Sequence, residues 1–207
     1  MALHRVVLLR HGRTAWNVDR RMQGRLDPEL DEVGEAQAAE AAPLLTAFSP
    51  VRLVASDQRR AWRTAEIAAS ATGVPPRPEP RLRETSVGEW EGHTGDEVEA
   101  GWPGGIDTWR SDPTFAPPGG ESRCDVAARA VPVVDDLAEE LADVPEATAL
   151  LVAHGGCIVA LTASVLGWPI AAWSTLHPLP NCRWAVLEHR EDRGDRWRLM
   201  VWGGGPA

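Results

Sequence analysis

"LLRHGRTAWN", residues 8–17, sets a charged Arg10–His11 pair and a glycine directly behind an apolar run. The run RVVLLR, residues 5–10, has the length of a buried strand. A surface loop has little use for a strand that ends on arginine, histidine and glycine. A site that holds an anion and attacks it does, and α/β folds bind ligands beyond the carboxyl ends of their strands.

The same arrangement recurs along the chain. VRLVAS (51–56) reads as a strand and is followed by Arg59 and Arg60, which open a helix over 59–73 that closes at Gly73. ATALLVAH (147–154) reads as a strand ending on His154, and GCIVALTASVLG (156–167) as a buried helix. LDEVGEAQAAEAAPLL (30–45) has helical spacing, with Asp31 as N-cap and Pro43 ending or kinking it. Residues 121–143 carry long helical periodicity despite Pro132, and 74–80 is Pro-rich and extended. RWAVLEHR (183–190) and RWRLMVW (196–202) read as late strands that could form a hairpin. Alternating strands and helices predict an α/β fold, a three-layer α/β/α sandwich with a mostly parallel sheet. No linker or repeat divides residues 1–207, which are expected to form one domain. Residues 85–120, rich in Gly, Pro and Trp, are expected to be irregular or short-helical and to serve as a cap over the active face.

Composition narrows the function. The 207 residues carry a formal net charge of −9, which argues against bulk nucleic-acid binding. Every one of the 21 Lys+Arg residues is arginine. Residues 1–26 hold six of them against Asp19 alone, and 51–63 hold Arg52, Arg59, Arg60 and Arg63 against Asp57. Two basic segments in an acidic chain suggest a focused pocket for a small anion; the bland reading puts the arginines on solvated faces. Cys124, Cys157 and Cys182 are odd in number and widely spaced, so packing in a reducing cytoplasm is expected rather than a disulfide framework. The four-residue apolar run near the start is too short for a signal peptide. Residues 147–182 lack Asp, Glu, Lys and Arg. His154-Gly155-Gly156, Pro169 and Pro178 interrupt that run, so a strand, a turn and a helix are expected there and not a membrane span.

The chemistry follows if the three strand ends are neighbours. Arginine forks match phosphate oxygens bidentately. An imidazole with one nitrogen oriented by a partner is a competent nucleophile. In-line attack by His11 on a phosphoryl group held by arginines and His154 gives a phosphohistidine. Gly12 and Gly155 would let backbone amides approach the phosphate. Glu84, in RLRETSVGEW, could protonate the leaving oxygen and then activate water. No H-E-x-x-H or EF-hand pattern is present, and neither a metal nor a cofactor is expected.

Taken together, these residues resemble the histidine phosphatase superfamily, also called phosphoglycerate-mutase-like. LLRHGRTAWN matches its R-H-G-x-T-x-x-N signature. SDQRRAWRTA resembles the S-x-x-x-R-A-x-x-T-A segment, RLRETSVGEWEG the acid-donor segment, and LLVAHGG the segment of the second histidine. The resemblance covers almost the whole chain. It implies that His11 is the phosphorylated nucleophile, that Arg10, Arg60 and His154 hold the phosphate, and that Glu84 handles the proton. It implies further that Asn17 and the Gly155 amide add hydrogen bonds, and that Gln23 and Gly24 lie on the substrate side. Arg63 stands where relatives often carry glutamine.

The implied activity is hydrolysis of a phosphomonoester, with a phosphorylated sugar acid as substrate. Arg13, Arg21, Arg25 and Gln23 could serve the carboxylate of such a substrate. Trp90, Trp102 and Trp109 could line a sugar-binding wall, although core packing is the commoner use of tryptophan. The alternatives are a cofactor-dependent phosphoglycerate mutase, for whose lid 207 residues are short, a broad-specificity acid phosphatase, and a non-catalytic phospholigand binder. Relatives are often dimers, so a homodimer is expected, with a small phosphorylated substrate and neither nucleic acid nor membrane as partner.

Overall fold

The computed structural model describes residues 3–190 and 196–206. Its six strands are β1 (Leu3–Arg10), β2 (Arg52–Ala55), β3 (Pro76–Pro78), β4 (Ala147–Ala153), β5 (Trp184–Arg190) and β6 (Arg196–Gly204). They form one sheet in the order β3-β2-β4-β1-β5-β6. β3, β2, β4 and β1 pair in parallel, and β5 lies antiparallel between β1 and β6. All seven residues of β4 are buried, as a parallel strand covered on both faces requires. β3 is a three-residue edge strand holding Pro76 and Pro78, residues a sheet tolerates at its edge.

Two apolar clusters flank the sheet and make the expected three layers. Helices α2 (Glu32–Leu45) and α3 (Arg59–Thr72) cover one face through Ala38, Leu45, Ala61 and Ala65, packed on Leu9, Leu53 and Val152. Helices α6 (Arg123–Glu140) and α7 (Gly155–Val165) cover the other through Val126, Val133, Ile158 and Leu161. Asp31 caps α2 by accepting from the Gly34 amide, and Gly73 closes α3 in the left-handed conformation at φ 72°. Pro43 does not end α2, which continues to Leu45. Pro43 lies in the last turn, so its missing N–H removes only one bond of the helix ladder there. Pro132 likewise stays inside α6.

Several details exceed the sequence reading. A short helix α1 (Ala15–Val18) follows His11, nucleated by a capping box between Thr14 and Asn17. β6 runs on to Gly204, paired with β5 as expected of a hairpin; the connection at 191–195 lies outside the described residues. Between Glu84 and α6 the chain forms α4 (Gly95–Gly101) and α5 (Gly105–Ser111). Around them a third cluster holds Val87, Trp90, Val98 and Ile106, with Trp102, Trp109 and Phe115 against it. The uncharged run 147–182 resolves into β4, α7 and a 3-10 stretch at Ile170–Thr175. Among the described residues no helix is long and apolar enough to cross a membrane.

Candidate active site

Strand order brings the chemistry together. β4 slots between β1 and β2, so the carboxyl ends of these three strands lie side by side. Arg10 is level with Ala153, and the His11 amide donates to the Ala153 carbonyl at 3.0 Å. His154 follows Ala153 as the N-cap of α7, and its ring centroid is 5.1 Å from that of His11. Both rings are buried.

The hydrogen bonds of His11 settle its tautomer. Nδ1 lies 2.6 Å from the Gly12 carbonyl oxygen, which can only accept, so Nδ1 carries the proton. Burial, followed by the charges of Arg60 and Arg10, holds the His11 pKa well below its ordinary value, so the ring is neutral near pH 7. Nε2 therefore keeps a lone pair. His154 is depressed in the same way, by burial first and then by Arg60. Its Nε2 lies 2.9 Å from Ser56 Oγ, and its Nδ1 is buried without a hydrogen-bond partner.

Arg60 is fully buried, and its pKa is pushed down to about 10, chiefly by desolvation. Its two terminal nitrogens donate to the carbonyls of Leu26 and Gly24, at 3.0 and 3.1 Å. Arg10 donates to the Leu179 carbonyl. The Nε atoms of both arginines are buried and unpartnered, like His154 Nδ1. Buried polar atoms are nearly always paired, so unpaired nitrogens on His154 and on two arginines whose charges act on His11 and His154 mark a place suited to an anion.

Glu84 sits at the start of α7. Its carboxylate accepts from the amides of Gly156, Cys157 and Thr85 at 3.1, 3.0 and 2.8 Å. A Cβ on Gly156 would come within 2.7 Å of Glu84 Oε1, so the glycine makes room for the acid. The Glu84 carbonyl accepts from Arg129, which also grips Glu121 through two nitrogens at 2.9 and 3.1 Å. The sequence reading assigned no role to Ser56, Glu121 or Arg129. Ser56 stands inside the quoted SDQRRAWRTA segment, but the other two act through contacts that spacing does not reveal.

Gly12 differs from the expectation. Its amide donates to Thr64 Oγ1 at 3.0 Å rather than standing open to a ligand. A Cβ there would meet the Gly34 carbonyl oxygen at 2.4 Å, so the glycine admits the first turn of α2.

A cavity of about 620 Å³ opens beside these groups. Arg10, His11, Arg60, Glu84 and Gly155 line it, as do Asn17, Arg21, Gln23 and Gly24. Arg13 is not among its lining residues, because its guanidinium turns to Asp31 at 2.8 Å. Arg25 is held by Glu121, and Arg63 by Glu35. Trp90 is buried within the third cluster, whereas Trp109 reaches the cavity wall. Among the described residues there is no group of three or more His, Cys, Asp or Glu placed to hold a metal ion.

A mostly parallel sheet with two buried histidines, the buried Arg60 and the half-buried Arg10 at one edge defines a phosphoryl-handling α/β protein. Residues 6–203 match the histidine phosphatase superfamily (branch 1), and the chain belongs to it. It is 45% identical to a glucosyl-3-phosphoglycerate phosphatase of Mycobacterium tuberculosis, over 98% of this chain and 95% of that one. The structure of mycobacterial glucosyl-3-phosphoglycerate phosphatase with VO3 superposes with a TM-score of 0.92 at 46% identity, covering 98% of this chain and all of the other. A probable phosphoglycerate mutase of Cronobacter sakazakii is 35% identical over 95% of this chain and 89% of its own.

Proposed function

We propose that the chain is a phosphatase that hydrolyses the phosphomonoester of a phosphorylated sugar acid, of which glucosyl-3-phosphoglycerate is the first candidate. The observation that carries this reading is the neutral His11 ring, with Nδ1 committed to the Gly12 carbonyl, set 5.1 Å from the His154 ring and in one cavity lining with Arg10 and Arg60. The relatives at 45% identity name the substrate class.

In the first step the Nε2 lone pair attacks phosphorus in line, forming the N–P bond as the P–O bond to the alcohol breaks. The Glu84 carboxyl gives its proton to the departing oxygen. In the second step Glu84 takes a proton from water, the water oxygen bonds phosphorus, and the N–P bond returns its electrons to His11. The two guanidinium groups neutralise the equatorial oxygens throughout, the task a metal ion performs in other phosphoryl-transfer sites, and the neutral His154 ring adds a hydrogen bond. Asn17, Gln23, Gly24, Arg21 and Gly155 shape the binding surface around the ester. No cofactor enters this scheme.

Residues 85–120 act in this reading as a cap on a single domain, because Thr85, Val87, Trp109 and Arg110 contribute to the cavity wall. Three unpaired thiols suit a reducing cytoplasm. β6, at the sheet edge with Met200 and Val201 exposed, is where a second copy would pair to form a homodimer, which sedimentation can check.

A panel of phosphate esters assayed with EDTA tests the proposal. Turnover of glucosyl-3-phosphoglycerate, with acid-labile label on His11, is the expected result. Interconversion of 3- and 2-phosphoglycerate without release of phosphate would assign a mutase instead. No turnover of any ester beyond that of His11→Ala would end the enzymatic reading.

A further inference from the structure

Most arginines near the cavity are already spoken for. Arg13, Arg21 and Arg25, expected to receive a second anionic group, are paired with Asp31, Glu97 and Glu121. Two other arginines line the same cavity. Arg110 lies in the last turn of α5 and is exposed; Arg123 opens α6 and is half-buried. Among the described residues neither has a carboxylate at ion-pair distance, in a chain whose net charge is −9.

The setting of Arg123 is costly, which is informative. Its guanidinium carbon lies 5.6 Å from the centroid of the Trp109 ring. One terminal nitrogen donates to the Arg110 carbonyl at 3.2 Å, which ties the start of α6 to the end of α5. Burial lowers its pKa, so the charge is partly desolvated with no counter-charge to offset it. It also occupies the first position of an 18-residue helix, where the helix dipole disfavours a cation. Asp125 caps that helix through Ser122 and offsets part of this. The result is a positive spot on an aromatic floor. It shares the cavity wall with Arg10, His11 and Arg60 but is carried by α6 instead of following a strand end.

We propose that Arg123, seated on Trp109 and neighboured by Arg110, binds the carboxylate of the substrate while the phosphate lies at His11. The inference rests on the phosphatase reading above. A guanidinium held over an indole at cation–π distance keeps N–H groups of its fork available, and such a fork takes a carboxylate bidentately. Contact with the ring face keeps the fork oriented, so little freedom is lost on binding.

The test compares 3-phosphoglycerate, which has a carboxylate, with glycerol 3-phosphate, which lacks one, as substrates of the full chain. Arg123→Gln is expected to raise the KM for 3-phosphoglycerate about tenfold more than the KM for glycerol 3-phosphate, the size of a lost charge-assisted hydrogen bond. Arg123→Lys should recover part of the preference, and Arg110→Gln should lose a smaller share. An equal rise for both esters, or an unchanged ratio, overturns the proposal. If the wild type turns over no ester, the phosphatase reading fails separately. Calorimetric Kd values for the same two compounds then decide the subsite: loss of a tenfold preference in Arg123→Gln supports it, and an unchanged ratio ends it. Should Arg123→Gln fail to fold by circular dichroism, Arg110→Gln carries the comparison, and an unchanged ratio there is equally fatal.

Discussion

The carboxyl edge of the sheet and the excursion from residue 85 to 120 are built on different physical terms. At the edge, His11, His154 and Arg60 are buried and fixed by backbone carbonyls and by Ser56. The two histidines directly follow β1 and β4, whose register cannot slip without moving whole rows of side chains, and Arg60 lies in the first turn of α3. In the excursion, two seven-residue helices are held by a small cluster around Trp90, which contacts Trp102, Trp109 and Phe115 at ring-centroid distances of 6.1–6.5 Å. An edge of that kind suits chemistry, which needs atoms held to a fraction of an ångström; an excursion of this kind suits the choice of substrate.

The largest effect expected of a substitution is at the edge. His11→Ala should lower kcat by about 10⁴-fold or more, with no acid-labile phosphate on the protein. A variant that retained even a tenth of the activity would break the contrast between the two regions. Glu84→Gln should cost about 10²–10⁴-fold on alkyl phosphates and clearly less on nitrophenyl phosphate, whose leaving group needs no proton. Equal losses on both would remove Glu84 from the proton-transfer role. On the other side, Trp90→Ala should destabilise the fold by about 3–5 kcal/mol, read as a lower denaturant midpoint. If it left stability untouched, the third cluster would not be what holds the excursion.

The smallest effect concerns pH and sharpens the picture of the edge. His11 and His154 are buried neutral, with folded pKa values below the ordinary one. Near neutral pH the folded and unfolded chains bind the same protons at these rings. Below about pH 6.5 the unfolded chain binds more, so stability should fall as the pH drops through that value toward the folded pKa. The Tm of the wild type should therefore decline over this range, and His154→Gln should flatten the decline. A slope unchanged by the substitution would mean that other groups set it.

Much of this was legible in the chain. The RVVLLR run, the helical spacing after Arg59 and the Asp31 cap are local patterns, set by neighbours within a turn or two. The order of Arg10, His11, Arg60, Glu84 and His154 along the chain likewise pointed to one site before any geometry was known. The residues whose partners the chain did not foretell are those that depend on distant contacts. Arg13 was expected at the ligand, yet Asp31, 18 residues on, claims it. Arg25 is taken by Glu121, 96 residues away, and Gly12 serves the packing of α2. Trp109 and Trp90 read alike in sequence, but one lines the cavity and the other is core.

The sequence by itself determined the kinds of elements, the candidate nucleophile and its companions, because periodicity and motif spacing are short-range properties written into the chain. Only the tertiary structure decided that β4 enters between β1 and β2, which side chain neutralises which, and which arginines remain open to a ligand. Ion pairs and burial are contests among all the groups that meet in space, and their outcome depends on contacts between residues far apart in the chain.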